Sequence, residues 1–308
     1  MTITADSFPT PHLALRSSDE DEVRRVRGFA NEQARAANSA LLDLDGALRS
    51  ARSRRDRVAE LVRTYRNLVE WRGDLARRTT RRLGTGIDYD ARRFTMSLRE
   101  SGPNHDRIGF IGRLRENPVW DPESRTYRGG RATPAHLIML EYGRIATERF
   151  ASENHDGDTL RNLVTLPDGT TIDGNTLVRG LAAQRVAADL VTRLARRSVD
   201  VSRIETGGDP QYVVTAPDAS RERMFNAAMA VVADAEPGNV RAWQTARYLL
   251  YQAPMTKKGS DAVNRTFLVV VGAILFGAPP TLEHDADLRC VVADQRSATT
   301  TPSDPVTS

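Results

Sequence analysis

Ten consecutive residues, Phe267-Leu-Val-Val-Val-Gly-Ala-Ile-Leu-Phe276, carry no polar side chain. A helix built on them has no face to offer water, so the rest of the chain must surround it. The apolar run, about thirteen residues near Thr266–Ala278, is shorter than the ~20 that span a bilayer. It is expected to be the central strut of a soluble domain, with no membrane partner. A helix is predicted over Asp261–Phe276 with Val263, Phe267, Val270, Val271 and Ile274 buried. Val240, Trp243, Ala246, Tyr248, Leu249 and Leu250 make the preceding helix, Asn239–Gln252, largely apolar as well.

The predicted fold is mostly α: a helical N-terminal hairpin packed on a C-terminal helical core, with one or two small β-hairpins. Residues 1–16 and 291–308 are expected to be disordered, being polar, Pro-punctuated and poor in apolar residues. The start lacks the basic and apolar regions of a signal peptide. Residues 17–83 hold two helices. The first starts at Ser17–Ser18 with Asp19, Glu20, Asp21 and Glu22 in its first turn, acids that oppose the positive end of a helix dipole. The apolar stripes of the pair serve as core or as the seam of a homodimer. Residues 84–290 form the core domain, with an irregular insert at 84–132. Thr133-Pro134 opens a helix with Leu137, Leu140, Tyr142, Ile145 and Phe150 inward. Residues 163–173 form a hairpin about Asp168-Gly169, followed by a helix over Asn175–Arg197, a strand near Tyr212–Thr215 and a helix over Ala219–Asp234. The single cysteine, Cys290, allows no internal disulfide, and a reducing cytoplasm is the expected setting.

Of the 44 cationic side chains only two are lysines, Lys257 and Lys258, adjacent and just ahead of the apolar helix. Lysine is a compact point charge and a helix start presents free N–H groups, a combination suited to an anion, above all a phosphate. On this reading Lys257 and Lys258 supply charge, Gly259 and Ser260 the backbone donors, and Arg265 a clamp. A solvated loop between two helices is the alternative. The order is not that of a Walker A loop, in which the lysine follows the second glycine.

Ala253-Pro254, Gly259-Ser260 and Asn264-Arg265-Thr266, between two central helices, resemble a degenerate Fic (Fido) loop over about residues 243–276. In that family a His-Pro-Phe-x-(Asp/Glu)-Gly-Asn-(Gly/Lys)-Arg loop cradles nucleotide phosphates and its His is the general base. The resemblance implies phosphate binding by Lys257, Lys258, Gly259 and Arg265, and a transferase using a nucleotide with Mg2+. The family's His has no counterpart, because Ala253 stands there, and His284 becomes the first candidate base.

Two further readings compete. His105-Asp106, His155-Asp156 and His284-Asp285 pair nitrogen and carboxylate ligands, as in a metal-dependent phosphohydrolase, although turn and capping roles also explain them. Arg49–Arg82 carries twelve arginines against four acids, a stripe that a non-catalytic helical protein could turn toward nucleic acid or an acidic partner. Acids interrupt it, which equally fits a solvated face. No Gly-x-Ser-x-Gly elbow is present.

Overall fold

A computed structural model describes residues 1–78, 90–196, 198–302 and 304–305. The part of the insert and hairpin expectations that falls on 79–89 lies outside the described residues. In chain order the helices are α1 (Glu20–Ser50), α2 (Arg54–Arg78), α3 (Leu98–Ser101), α4 (Pro134–Glu153), α5 (Gly180–Ala195), α6 (Asp218–Ala233), α7 (Val240–Gln252), α8 (Ser260–Phe276), α9 (Ala286–Val292) and α10 (Gln295–Thr299). The strands are β1 (His105–Ile108), β2 (Val119–Asp121), β3 (Thr126–Arg128), β4 (Thr159–Thr165), β5 (Thr171–Val178) and β6 (Gln211–Val214). The chain is mostly helical, with two small antiparallel sheets, and no described helix is long and apolar enough to cross a membrane.

Helix α8 is the strut. Val263, Phe267, Val270 and Val271 are buried, while Ile274 is only partly covered. Helices α1, α2 and α7 pack directly on α8, and α6 closes over α7 and α2. The stripe Ala30, Ala34, Ala37, Leu41 and Leu44 of α1 packs into this core. Tyr65 and Asn264 satisfy each other inside the core, where Tyr65 Oη donates to Asn264 Oδ1 at 2.7 Å and Asn264 Nδ2 donates to Leu250 O at 3.2 Å, whereas Tyr248 Oη is buried with no hydrogen bond among the described residues. Trp243 Nε1 donates to Leu268 O at 2.8 Å.

A second core forms around the four-stranded sheet, ordered β1-β6-β5-β4. Successive strand side chains face opposite ways. Leu177 and Val213 therefore meet α4 and α9, whereas Val178 and Tyr212 meet Ala183 and Ala187 of α5. The β4–β5 hairpin turns at Asp168-Gly169 as expected, with Gly169 at φ +83°. The expected helix from Asn175 instead begins at Gly180, because Thr176–Val178 pair with β6. Within the insert, β1 pairs with β6, and β2–β3 form a separate hairpin.

Three expectations are corrected. Residues 1–16 are ordered: Ile3 and Phe8 are buried, and Ile3 N donates to Asn38 Oδ1 of α1 at 2.9 Å. The tail is ordered over 291–302 and at 304–305, since α10 buries Ala298 and Asp304 makes an ion pair with Arg247 of α7, which is 2% exposed. Leu137 and Leu140 face outward, 55% and 38% exposed, because α4 turns Ala135, Met139, Gly143 and Ala146 inward. Small residues suit that face, as Gly143 approaches the backbone of Gly109 too closely for a Cβ.

Val270→Asp is expected to cost on the order of 3 kcal/mol or more in urea unfolding, because a charge would be buried without a partner. Asp304→Ala would leave the buried Arg247 guanidinium without its carboxylate. A loss of about 3 kcal/mol is expected from the same measurement, and an unchanged midpoint would show the latch to be energetically idle.

Candidate functional site

The link from α7 to α8, residues 253–259, is held by the insert like a short extra strand. Ser97 bridges Thr256, Leu98 N donates to Met255 O, Lys257 N to Met96 O and Lys258 N to Arg93 O. Gly259 then turns the chain into α8 in the left-handed region, at φ +83°. A Cβ there would lie 2.7 Å from Phe94 and 3.0 Å from the stem of Arg72, so the position demands glycine on two counts. Arg72 in turn stacks over the Phe94 ring at 4.1 Å. No side chain caps the start of α8.

The residues singled out in the sequence separate here into different roles. Arg265 is buried and fully engaged: Nε donates to Asp261 Oδ1 at 2.8 Å, Nη1 to Glu283 O at 2.7 Å and Nη2 to His284 O at 3.2 Å. Its clamp role toward a ligand is therefore not available. Asp261 also accepts from Tyr251 Oη, and Asp287, beside the same guanidinium, is pushed up to about 7 by burial and by Asp261. Lys257 Nζ donates to the carbonyls of Gly102 and Pro103 at 2.6 and 3.0 Å. Ser260 Oγ donates to Thr256 O. His284 stacks on His12, with centroids 3.7 Å apart, rather than joining the lysines.

Lys258 differs from its neighbour. Its side chain is half-buried, and among the described residues Nζ has no hydrogen bond or ion pair. Burial first, then the charges of Arg93, Arg16 and Arg72, hold its ammonium down to about 8, with Asp106 opposing them. The Asp106 carboxyl is raised by crowding and pulled back by Lys257, Arg93 and Lys258. The residue is exposed, so its carboxyl stays in contact with water. Lys258 thus stands among three arginine charges, those of Arg93, Arg16 and Arg72, with the one acid Asp106 opposing them.

His105 lies on the opposite face of β1 from Asp106, within reach of the charge of Lys257. Its Nδ1 lies 2.9 Å from Arg193 Nη2, and since a guanidinium can only donate, Nδ1 accepts and the proton sits on Nε2. Burial, then Arg193 and Lys257, lower its pKa to about 4, so the ring is neutral at pH 7. The sequence signal for this residue was the His105-Asp106 dipeptide, read as a turn; its placement beside Lys257 depends on the pairing of β1 with β6, which no local pattern reveals.

The other constellations do not assemble. The three His-Asp pairs lie on β1, in the turn after α4 and ahead of α9, and among the described residues no group of three His, Cys, Asp or Glu is arranged to hold a metal. On the Arg49–Arg82 stripe, Arg54 pairs with Asp234 at 2.7 Å and Arg57 Nε donates to Ala233 O at 2.8 Å, both stapling α2 to the end of α6. Arg49, Arg63 and Arg77 pair with acids one turn away. Arg54 stays exposed despite its pair, as a solvated face requires, while Arg57 is half-buried. No family model matches the chain, and neither does any curated protein.

Lys258 yields a pH prediction. Its proton leaves near pH 8 in the folded chain and near its ordinary 10.5 in the unfolded one. Between these values the unfolded chain binds more protons, so this group makes stability rise with pH across that window. Lys258→Met should raise the melting temperature at pH 7 and remove the part of the rise between pH 8 and 10.5 that separates it from the wild type. Equal pH profiles for the two proteins would show that the ammonium is ordinarily solvated.

Proposed function

We propose that this protein binds a phosphate-bearing small molecule, a nucleotide or a sugar phosphate, at the cluster of positive charge around Lys258, as the binding step of a transferase. The observation that carries the reading is the half-buried Lys258 ammonium without a partner among the described residues, set among arginine charges with Asp106 as the opposing acid. Like charges held together in a fold raise its free energy, and a dianionic phosphate relieves that repulsion while accepting several hydrogen bonds. Lys258 is the contact residue. Arg93 and Arg16 provide the field, and Lys257 positions the loop through the Gly102 and Pro103 carbonyls.

The Fic resemblance supports the same place in the chain, the link between two central helices, but not the same residue set. Arg265 and His284 drop out of the contact shell, and no imidazole takes the place of the family's general base. Cys290 plays no part: it is buried on α9, and burial pushes its thiol up to about 12. A reducing cytoplasmic setting suits that free thiol.

Thermal unfolding in the presence of inorganic phosphate, ATP or a sugar phosphate tests the reading. A ligand at about a hundred times its Kd adds ~2.7 kcal/mol to the stability of the state it binds. The melting temperature should rise with at least one of these compounds, and Lys258→Ala should abolish the rise. An identical rise in Lys258→Ala, or none with any phosphate compound, would refute the proposal.

A further inference from the structure

The far end of α8 is less completely covered than its middle. Ile274 is partly exposed there and lines a cavity of about 280 Å³ that opens to solvent. Leu48 from the last turn of α1, Leu61 of α2 and Val232 of α6 complete an apolar floor. Hydrogen bonds tie the walls together on two sides. Gly238 N donates to Leu275 O at 2.7 Å, and Arg57 Nε donates to Ala233 O at 2.8 Å. Walls held in this way do not close by repacking, so the apolar floor stays wet until a ligand displaces the water.

The polar residues bordering the cavity leave one group over. Asp234 is taken by Arg54 at 2.7 Å. Arg57 spends its Nε on the Ala233 carbonyl, and among the described residues its two Nη nitrogens have no hydrogen bond or ion pair. Glu236 also borders the cavity, but it is exposed, and water screens its charge more than that of the half-buried Arg57. A guanidinium with its outer edge open matches the two oxygens of a carboxylate. A monoanion suits the place better than a phosphate dianion, which would meet Asp234 and Glu236 with twice the charge. Apolar cavities of ~150 Å³ hold a six-carbon ring, so about 280 Å³ has room for about eleven heavy atoms. We propose that this cavity binds a free monocarboxylic acid with a hydrocarbon tail of about eight carbons, the tail against Leu48 and Ile274 and the carboxylate on the Nη nitrogens of Arg57. The site lies at the opposite end of α8 from Lys258 and does not depend on the phosphate reading.

Titration calorimetry of the full chain with octanoate tests the site. Each methylene that enters the cavity adds about fourfold to the affinity, so octanoate should bind on the order of tenfold more tightly than hexanoate. Dodecanoate should gain little over decanoate, because the end of its tail no longer fits. Octanol and octylammonium carry the same tail without the negative charge and should bind at least about fivefold more weakly. Arg57→Gln should bind octanoate and octanol equally, and Lys258→Ala should bind octanoate as the wild type does. Leu48→Trp should fill the cavity and abolish binding; if that variant does not fold, the Arg57→Gln comparison decides alone. Octanol binding as tightly as octanoate in the wild type, or octylammonium binding more tightly than both, would overturn the proposal. So would no binding of any of these acids, or loss of octanoate binding in Lys258→Ala.

Discussion

Helix α8 has no side that tolerates water, and the placement of nearly every other element answers that demand. The hairpin α1–α2 and helix α7 lie directly on it, and α6 seals the gaps between them. The few polar groups on its first two turns are matched from outside: Asn264 by Tyr65, Arg265 by Asp261 and the carbonyls ahead of α9. Because most of the strut is covered, with only Ile274 and Phe276 part-exposed among its apolar residues, the link that leads into it is tied to the packed frame. Gly259 fixes the direction of entry, and the insert strap at 93–98 clamps the link from outside. A loop in that position is part of the rigid frame, and a charge mounted on it stays where the frame puts it.

Two cations stand seven residues apart on this link and the helix it feeds, and they illustrate opposite electrostatic solutions. Arg265 is buried with carboxylates and carbonyl oxygens around it, and these partners more than offset the effect of burial on its charge. Lys258 is half-buried with chiefly positive neighbours, and burial tells against its charge. Arginine's fork satisfies several acceptors at once, which makes it the better structural cation. Lysine titrates within reach of neutral pH, which makes it the better reactive one. The arrangement follows that division.

Features set by neighbours in sequence were legible. Thr133-Pro134 and Asn239 mark helix starts because a cap acts within a turn of its own position, and the acids after Ser18 place the start of α1 to within two residues of its actual cap, Asp19. The all-apolar stretch identified α8 and, through it, the mostly helical class. Features set by distant partners were not legible. Four residues from His105 read as insert because their partner strand begins at Gln211. Ile3 and Phe8 looked like isolated apolar residues until α1 and the segment before α9 supplied their slots. The different fates of Lys257 and Lys258 depend on where the Gly102 and Pro103 carbonyls lie, which no spacing encodes. The pairing of Asp261 with Arg265 was available, since the two stand four apart on a helix. It argued from the outset that this arginine had an internal partner.

The Arg247–Asp304 contact sets an order on how the molecule can be completed. Arg247 sits on α7, in the middle of the helical core, and its carboxylate partner arrives 57 residues later. While the chain is being synthesised, α7 and α8 can meet and bury their apolar faces well before that partner exists. Through this interval the core carries a guanidinium whose charge is not yet balanced. The contact thus joins a charge within the bundle to a segment distant in sequence, beside the apolar docking of Ala298 on α10.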